Sequence, residues 1–278
     1  MPLPAPFLQS LEGVVGFNKA AFEAVHASGE TVTAIRVNPN KNPDQILFEH
    51  TSPVPWCPHG HYLEARPSFT LDPNFHAGAY YVQDASSMFL WQALSNVVGV
   101  SNGQKVLDLC AAPGGKSTLL STYFNNGLVV SNEVIKQRAS VLVENMTKWG
   151  AGNTVVTNND PVHFQSLPGF FDVMVVDAPC SGSGMFRKDP QAIQEWSEEN
   201  VLHCSQRQTR IIEESIKALQ EGGYYIYSTC SYSFEEDEKI MDYIASLDGM
   251  TSVQIQLPSS SPIVTTYSPT HLAQGFRF

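Results

Sequence analysis

Lys105-Val106-Leu107-Asp108-Leu109-Cys110-Ala111-Ala112-Pro113-Gly114-Gly115-Lys116-Ser117-Thr118 is the stretch that decides the fold. Val106, Leu107 and Leu109 have the character of a buried strand, and they lead directly to Gly114-Gly115, where positive φ and close approach to a ligand are both permitted. A helix start follows. In a doubly wound sheet, a turn of this kind at the carboxyl end of the first parallel strand faces a nucleotide-like ligand, with the next helix N-terminus aimed at it. The spacing is neither G-x-G-x-x-G nor G-x-x-x-x-G-K-[ST], because Gly114-Gly115-Lys116-Ser117 lacks the earlier glycine. The stretch points to a cofactor site, with phosphate binding the weaker alternative.

Downstream, strand and helix patterns alternate. Leu128–Val130 reads as a strand, Val134–Trp149 as a helix, Thr154–Thr157 as a strand and Val173–Val176 as a fully apolar strand, an alternation that implies a parallel sheet with crossover helices. A further helical pattern spans Ile193–Leu219 and is expected to end at Gly222-Gly223, before a strand over Tyr224–Ser228. Asp237–Leu247 reads as a helix, Val253–Leu257 as a last strand, and Ser259-Ser260-Ser261 as a loop.

Upstream, Gln83–Leu94 reads as an amphipathic helix leading into the deciding strand. From Val32 to Phe75 the texture changes to short β-like pieces, Val32–Ile35 and Ile46–Phe48, among Pro39, Pro43, Pro53, Pro55, Pro58, Pro67 and Pro73. Residues 1 to about 30 carry Phe7, Leu8, Leu11, Val14, Val15, Phe22 and Val25 at roughly helical spacing, the pattern of a packing helix. The boundary is expected near Gly78. The fold class is thus α/β: a smaller N-terminal α+β domain over residues 1–78, then a doubly wound, mostly parallel Rossmann-like sheet over residues 79–278.

With 278 residues and 42% hydrophobic composition, the chain can bury a full core. It contains no run of about 18 uninterrupted apolar residues, and Met1-Pro2-Leu3-Pro4 lacks the basic start and apolar run of a secretory signal, so a soluble, cytoplasmic protein is expected. Five cysteines without a C-x-x-C pair suit thiols better than a disulfide framework. Charge is the contrary signal, since 16 Lys+Arg against 27 Asp+Glu give a net of −11, which opposes the phosphate attraction that dominates non-specific nucleic-acid affinity. A nucleic-acid partner would need a local basic face or a helper segment; for the face Arg36, Arg66, Arg187, Lys188, Arg207 and Arg210 are candidates, each alone more often a solvated side chain.

Glu133 ends the second strand about 18 positions past Gly115, where doubly wound folds place an acid that accepts hydrogen bonds from ribose hydroxyls. Its bland alternative is an acid in the first turn of the next helix. Asp160 ends the third strand, where it could meet the base of an adenosine or simply cap a turn. Asp177-Ala178-Pro179-Cys180-Ser181-Gly182 and Tyr227-Ser228-Thr229-Cys230-Ser231 close the next two strands, so neighbouring strands would bring both thiols to one cleft. A buried cysteine is usually a small hydrophobe, which suits Cys204 within a helix better than Cys180 and Cys230 in polar turns. Together with Asp177, these two cysteines supply a nucleophile, a second thiol and an acid, without deciding which thiol attacks, enough for covalent catalysis. Cys57, His59 and His61 are close enough to raise a metal, but structural zinc usually draws four ligands from two separated pairs, and a simple turn is preferred.

Asp108-Leu109-Cys110-Ala111-Ala112-Pro113-Gly114-Gly115-Lys116, Asp177-Ala178-Pro179-Cys180-Ser181-Gly182 and Ser228-Thr229-Cys230-Ser231 resemble, in order and spacing, successive motifs of the Nop/Sun family of RNA cytosine carbon-5 methyltransferases. Ile35-Arg36-Val37-Asn38, Val54-Pro55-Trp56-Cys57, Tyr81-Val82-Gln83-Asp84-Ala85-Ser86-Ser87-Met88 and Arg187-Lys188-Asp189-Pro190 are similar to the bacterial small-subunit ribosomal RNA methyltransferase F group, and the similarity runs from about Ala34 to the end. The family's catalytic domain continues past the equivalent of Phe278 into further strands, so a sheet truncated at its C-terminal end is expected, one that binds cofactor but methylates RNA poorly.

The resemblance implies S-adenosylmethionine across Cys110, Ala111, Ala112, Pro113, Gly114, Gly115 and Lys116, with Glu133 on its ribose, Asp160 near its adenine and Asp177 also in contact. It implies that Cys230 adds to carbon 6 of cytosine, that Asp177 with Lys116 holds the pyrimidine edge, and that Cys180 assists release. The base must be single-stranded or flipped out. The implied partner is small-subunit ribosomal RNA, free or in the assembled subunit, docked with help from the N-terminal domain; no membrane or metal is implied. A DNA or small-molecule methyltransferase on the same fold is the nearer rival. A non-catalytic RNA-binding assembly factor is the other, although such a protein would be expected to lose Cys230 or the glycine turn.

Overall fold

The computed structural model describes residues 2–41, 48, 51–99, 102–259 and 261–278. Ile46 and Leu47 of the strand piece expected over Ile46–Phe48, together with Pro43 and Ser260, lie outside the described residues. The chain forms two compact units that interleave along the sequence, one of Val32–Asp177 with Ser215–Ile226 and one of Met1–Thr31, Ala178–Glu214 and Tyr227–Phe278.

The first unit opens with a small antiparallel sheet. Strands β1 (Thr33–Val37), β2 (Thr51–Pro53), β3 (Gly60–Leu63) and β4 (Tyr80–Val82) are ordered β2-β3-β1-β4, and the short helix α3 (Pro73–His76) precedes β4. Alternation along β1 sends Ala34 and Ile35 to opposite faces. Ile35 joins Leu63, Phe69 and Tyr80, whereas Ala34 joins Val54, Cys57 and Met88 of helix α4 (Ala85–Val97). The position expected for the boundary, Gly78, falls between α3 and β4.

The larger sheet of this unit is built as the deciding stretch implies. Strands β5 (Lys105–Asp108), β6 (Leu128–Asn132), β7 (Thr154–Thr157) and β8 (Phe171–Asp177) pair in parallel, and β9 (Leu219–Ser228) completes the order β7-β6-β5-β8-β9. Helices α5 (Gly115–Tyr123) and α6 (Lys136–Trp149) make the crossovers between β5, β6 and β7. Val106, Val129, Val173 and Val175 from three strands pack with Leu94, Leu119, Leu120 and Phe124, each side chain stabilising the fold by about 1.5–3 kcal/mol through burial. Strand order reverses between β5 and β8, which makes their carboxyl ends the switch point where such sheets bind ligands.

In the second unit the single helix expected over residues 1–30 is two, α1 (Ala5–Ser10) and α2 (Lys19–Ser28). Gly13 and Gly16, at φ of 90° and 82°, break the run; Phe7, Leu8 and Leu11 are buried, while Val15 and Val25 face solvent. Their core takes Phe186 and Ile193. The stretch expected as one helix over Ile193–Leu219 is α7 (Pro190–Glu195), α8 (Glu198–Ser215) and a short 3-10 turn over Ile216–Ala218. Trp196 adopts extended backbone between the two helices. Gly222-Gly223 lie inside β9 rather than at a helix end, because Leu219 already belongs to the strand.

Helix α9 (Glu238–Ser246) follows. The strand expected over Val253–Leu257 does not form: the Gln274 side chain, accepting from Ile255 N–H at 2.6 Å and donating to Ile255 C=O at 3.1 Å, takes the place of a ladder partner. Instead β10 (Val264–Tyr267) and β11 (Gln274–Arg277) form an antiparallel hairpin. No helix among the described residues is long and apolar enough to cross a membrane.

Candidate active site

In the first unit, β5 ends at Asp108 and the chain turns through Leu109–Gly114 into α5. Gly114 has φ of 113°, backbone that L side chains rarely adopt, and a Cβ there would meet Leu142 at 3.2 Å. The turn is held from several directions. Asn132 donates to Leu109 C=O at 3.1 Å and Ala111 N–H donates to Asn132 C=O at 2.8 Å. Arg138 donates to Ala112 C=O at 2.7 Å, and Asn145 to Pro113 C=O at 2.8 Å.

Acidic groups converge on this turn. Glu133 is 2% exposed; its Oε1 accepts from Ile135 N–H at 3.0 Å, while Oε2 lies 3.3 Å from the Arg138 guanidinium without a hydrogen bond. Asp108 is fully buried, accepts from Ser117 Oγ at 2.6 Å on one oxygen, and on the other has no hydrogen bond among the described residues. Burial raises its pKa to about 7 against the opposing Ser117 hydrogen bond. Asp177, at the end of β8, pairs with Lys116 Nζ at 2.8 Å. Asp160 caps the 3-10 turn Pro161–Ser166 by accepting from Val162 N–H at 3.2 Å. Burial pushes the Cys110 thiol well up, which makes it a poor nucleophile.

These residues fit a neutral or cationic ligand rather than a phosphate. The ends of adjacent strands β5 and β6 present two buried carboxyl oxygens without hydrogen-bond partners among the described residues, Asp108 Oδ1 and Glu133 Oε2, and the Glu133 carboxylate can be satisfied only by a donor. Lys116, the lysine of the turn, is already paired with Asp177. Ribose hydroxyls and an ammonium group supply such donors; a phosphate supplies none.

In the second unit, the loops after Asp177 and Ser228 bring two thiols together. Cys180 Sγ lies 3.1 Å from Cys230 Sγ. Gly184 makes the approach of these loops possible: its N–H donates to Cys230 C=O at 2.7 Å, and a Cβ there would lie 2.4 Å from the same oxygen. Glu236 is the hub. Fully buried, it accepts from Ser181 N–H at 2.8 Å, Ser181 Oγ at 2.5 Å, Ser231 Oγ at 2.6 Å and Gln208 Nε2 at 3.1 Å, so one carboxylate ties both thiol loops. The Cys180 pKa is raised strongly, first by its hydrogen bond with Cys230 and then by burial. Asp237, half-buried beside Arg277 at 3.2 Å and accepting from Thr229 Oγ1 at 2.7 Å, is raised by desolvation to about 7. Cys204 is buried within α8, in keeping with a packing thiol.

Asp108 and Glu236 were not singled out from sequence. Asp108 carried a signal, a carboxylate closing an apolar strand; Glu236 sits in an acidic run, Glu235-Glu236-Asp237-Glu238, that reads as a solvated face. One sequence expectation is corrected outright. Arg36 does not face solvent; it is 0% exposed and donates to Gln83 Oε1 at 2.8 Å and to Thr118 Oγ1 at 2.5 Å. Arg66, Lys188, Arg207 and Arg210 are exposed and Arg187 half-buried. Cys57 is buried in the turn Val54–Gly60, and among the described residues no group of three or more His, Cys, Asp or Glu is placed to hold a metal.

Residues 96–269 match the family model described as 16S rRNA methyltransferase RsmB/F, and residues 3–85 match that of the N-terminal domain of 16S rRNA methyltransferase RsmF. The chain is 35% identical over 251 residues to ribosomal RNA small subunit methyltransferase F of Vibrio cholerae, covering 86% of this chain and 53% of that protein. It is 40% identical over 197 residues to the protein of the same description from Vibrio vulnificus, covering 69% and 41%. The chain spans about half the length of the curated relatives it matches. Among solved structures, a methyltransferase homolog protein from Pyrococcus horikoshii superposes with a TM-score of 0.69 at 26% identity, covering 99% of this chain and 97% of that one. NSun6 from Pyrococcus horikoshii, solved with SFG, superposes with a TM-score of 0.77 at 19% identity, covering 98% and 96%, a likeness of fold.

Proposed function

The chain belongs to the 16S rRNA methyltransferase RsmB/F family, and from that premise we propose that it methylates carbon 5 of a cytosine in small-subunit ribosomal RNA, in the cytoplasm, through a covalent cysteine adduct. The observation that carries the mechanism is the Cys180–Cys230 pair, 3.1 Å apart at the ends of neighbouring strands β8 and β9. S-adenosylmethionine, when bound, supplies an electrophilic methyl group; residues Cys110–Lys116 with Glu133, Asp160 and Asp177 would hold it.

Cytosine carbon 5 is too weak a nucleophile to take a methyl group unaided. The Cys230 thiolate adds to carbon 6, forming the sulfur–carbon bond and moving the double-bond electrons to carbon 5. Asp177 and Lys116 hold the pyrimidine edge and stabilise the charge that develops on the ring. After methylation, water takes the carbon 5 proton, the double bond re-forms and the carbon–sulfur bond breaks, returning Cys230 as thiolate. Cys180, which keeps its proton, hydrogen-bonds the departing sulfur and so assists release. A base stacked in a duplex cannot reach a thiol, so the target is single-stranded or flipped out.

The test is transfer of a radiolabelled methyl group to small-subunit ribosomal RNA, free and as assembled subunit, read at nucleotide level by bisulfite sequencing. Label that enters DNA or a small molecule instead would exclude the assignment. A protein that binds RNA with no transfer under any of these conditions would point to the non-catalytic rival.

A further inference from the structure

Outside the glycine turn and the thiol pair, the first unit carries a pocket of about 430 Å³ between β4 with its preceding turns and the C-terminal half of α6. Its walls are aromatic: Phe69 is buried, whereas Phe75 and Tyr81 keep part of their rings at the surface. Two cations stand over these rings. The Arg66 guanidinium carbon is 5.4 Å from the Phe69 ring centroid, and Lys148 Nζ is 5.6 Å from that of Phe75. Lys148 also pairs with Glu144 on the outer face of α6, and Arg66 is exposed. Among the described residues no Asp or Glu lines the pocket, in a chain whose net charge is −11. The wall at Asn145 touches the glycine turn itself, through the bond from Asn145 to Pro113 C=O.

Aromatic faces with cations beside them, in a cavity of nucleotide size, are what single-stranded nucleic acid requires: a stacking surface that every base can use and a positive rim for the phosphate. We propose that this pocket receives one unstacked nucleotide of the RNA substrate, its base against Phe75 and Tyr81 and its phosphate toward Arg66 and Lys148. The proposal rests on the RNA reading above and adds to it a second contact with the strand, separate from the target base. Because the pocket shares Asn145 with the cofactor turn, a nucleotide seated there would also brace Pro113.

The test uses the full chain and a short single-stranded oligoribonucleotide substituted with thiouridine, cross-linked by ultraviolet light and mapped by mass spectrometry. Cross-links are expected in residues 66–82 or 145–149. Arg66→Gln, at an exposed position, should lower the slope of log affinity against log salt by about 0.7, the loss of one phosphate contact on a single strand. Phe75→Leu keeps apolar volume but removes the ring; it should abolish the cross-link there and weaken RNA binding roughly ten-fold, with cofactor titration unchanged. RNA that binds, cross-links only elsewhere and ignores both substitutions would overturn the pocket while leaving the RNA reading intact. A chain that takes up cofactor but binds no RNA would remove both.

Discussion

Cys180 and Cys230 are not equivalent, although their sulfur atoms lie 3.1 Å apart: Cys180 is half-buried and held protonated, while Cys230 is exposed. The asymmetry assigns roles. Exposure makes Cys230 the sulfur that a base can reach, while its raised pKa keeps Cys180 a thiol. Cys230→Ala should therefore give neither product nor protein–RNA adduct. Cys180→Ala should still add to the base and accept the methyl group but release slowly, leaving an adduct that survives denaturing electrophoresis. Adduct with Cys230→Ala and none with Cys180→Ala would reverse the roles and keep the reaction class.

Glu133 offers, next to the glycine turn, a buried oxygen that lacks a hydrogen bond among the described residues. A hydrogen bond to a charged group is worth about 1.5–3 kcal/mol, so Glu133→Gln, which keeps the shape but removes the charge, should weaken S-adenosylmethionine binding roughly ten-fold or more. Titration calorimetry measures this directly. Equal affinity in the variant would take Glu133 out of the cofactor site and leave it as the acid that fixes Ile135 and Arg138.

Asp108 makes stability depend on pH. Its pKa rises from 3.8 to about 7 on folding because burial penalises the carboxylate. The folded protein thus holds that proton more tightly than the unfolded chain; the contribution is full below the unfolded value and is lost as pH rises through the folded one. Asp237, also raised to about 7, acts in the same sense. Between pH 5 and 7 the loss per group is on the order of 2 kcal/mol. Asp108→Asn should flatten the fall in urea midpoint over this range by roughly half. A wild-type midpoint that climbs from pH 5 to 7 would contradict the buried-acid account.

The parallel sheet, the glycine turn and both thiol loops were legible because each is local: an apolar run, a glycine pair, a cysteine just past a strand. Thr154–Thr157 matches its strand residue for residue. What stayed hidden depends on partners far away in the chain. Val253–Leu257 has the composition of a strand, yet Gln274 occupies its Ile255 backbone groups and no ladder forms. The hairpin of Val264–Tyr267 with Gln274–Arg277 carries few apolar residues and gave no alternating signal. Gly222-Gly223 looked like a helix stop because glycine serves both a helix end and a strand bend. Glu236 gave no signal, because nothing in its charge run reveals that Ser181, Ser231 and Gln208 surround it.

Arg36 gives the sharpest case of a surface residue that is not one, and its burial makes a prediction about the cofactor turn. Its guanidinium sits 4.5 Å above the Trp149 ring and donates to Gln83, to Thr118 and, at 3.2 Å, to Gly115 C=O in the first turn of α5. None of those acceptors is a carboxylate, and burial lowers its pKa to about 10, so a cation is still held there at neutral pH. A planar fork can serve acceptors in three directions while stacked on a ring; an ammonium cannot. Arg36→Lys should lower unfolding free energy by about 2–3 kcal/mol, since acceptors go unmatched while the charge stays buried. Arg36→Met, which fills similar space without a charge, should be no worse. Both should weaken cofactor binding, because Gly115 directly follows the positive-φ residue Gly114 and loses its anchor. Urea melts and cofactor titrations on the two variants decide the matter: a lysine variant with wild-type stability and wild-type affinity would show that Arg36 fills space without positioning the turn.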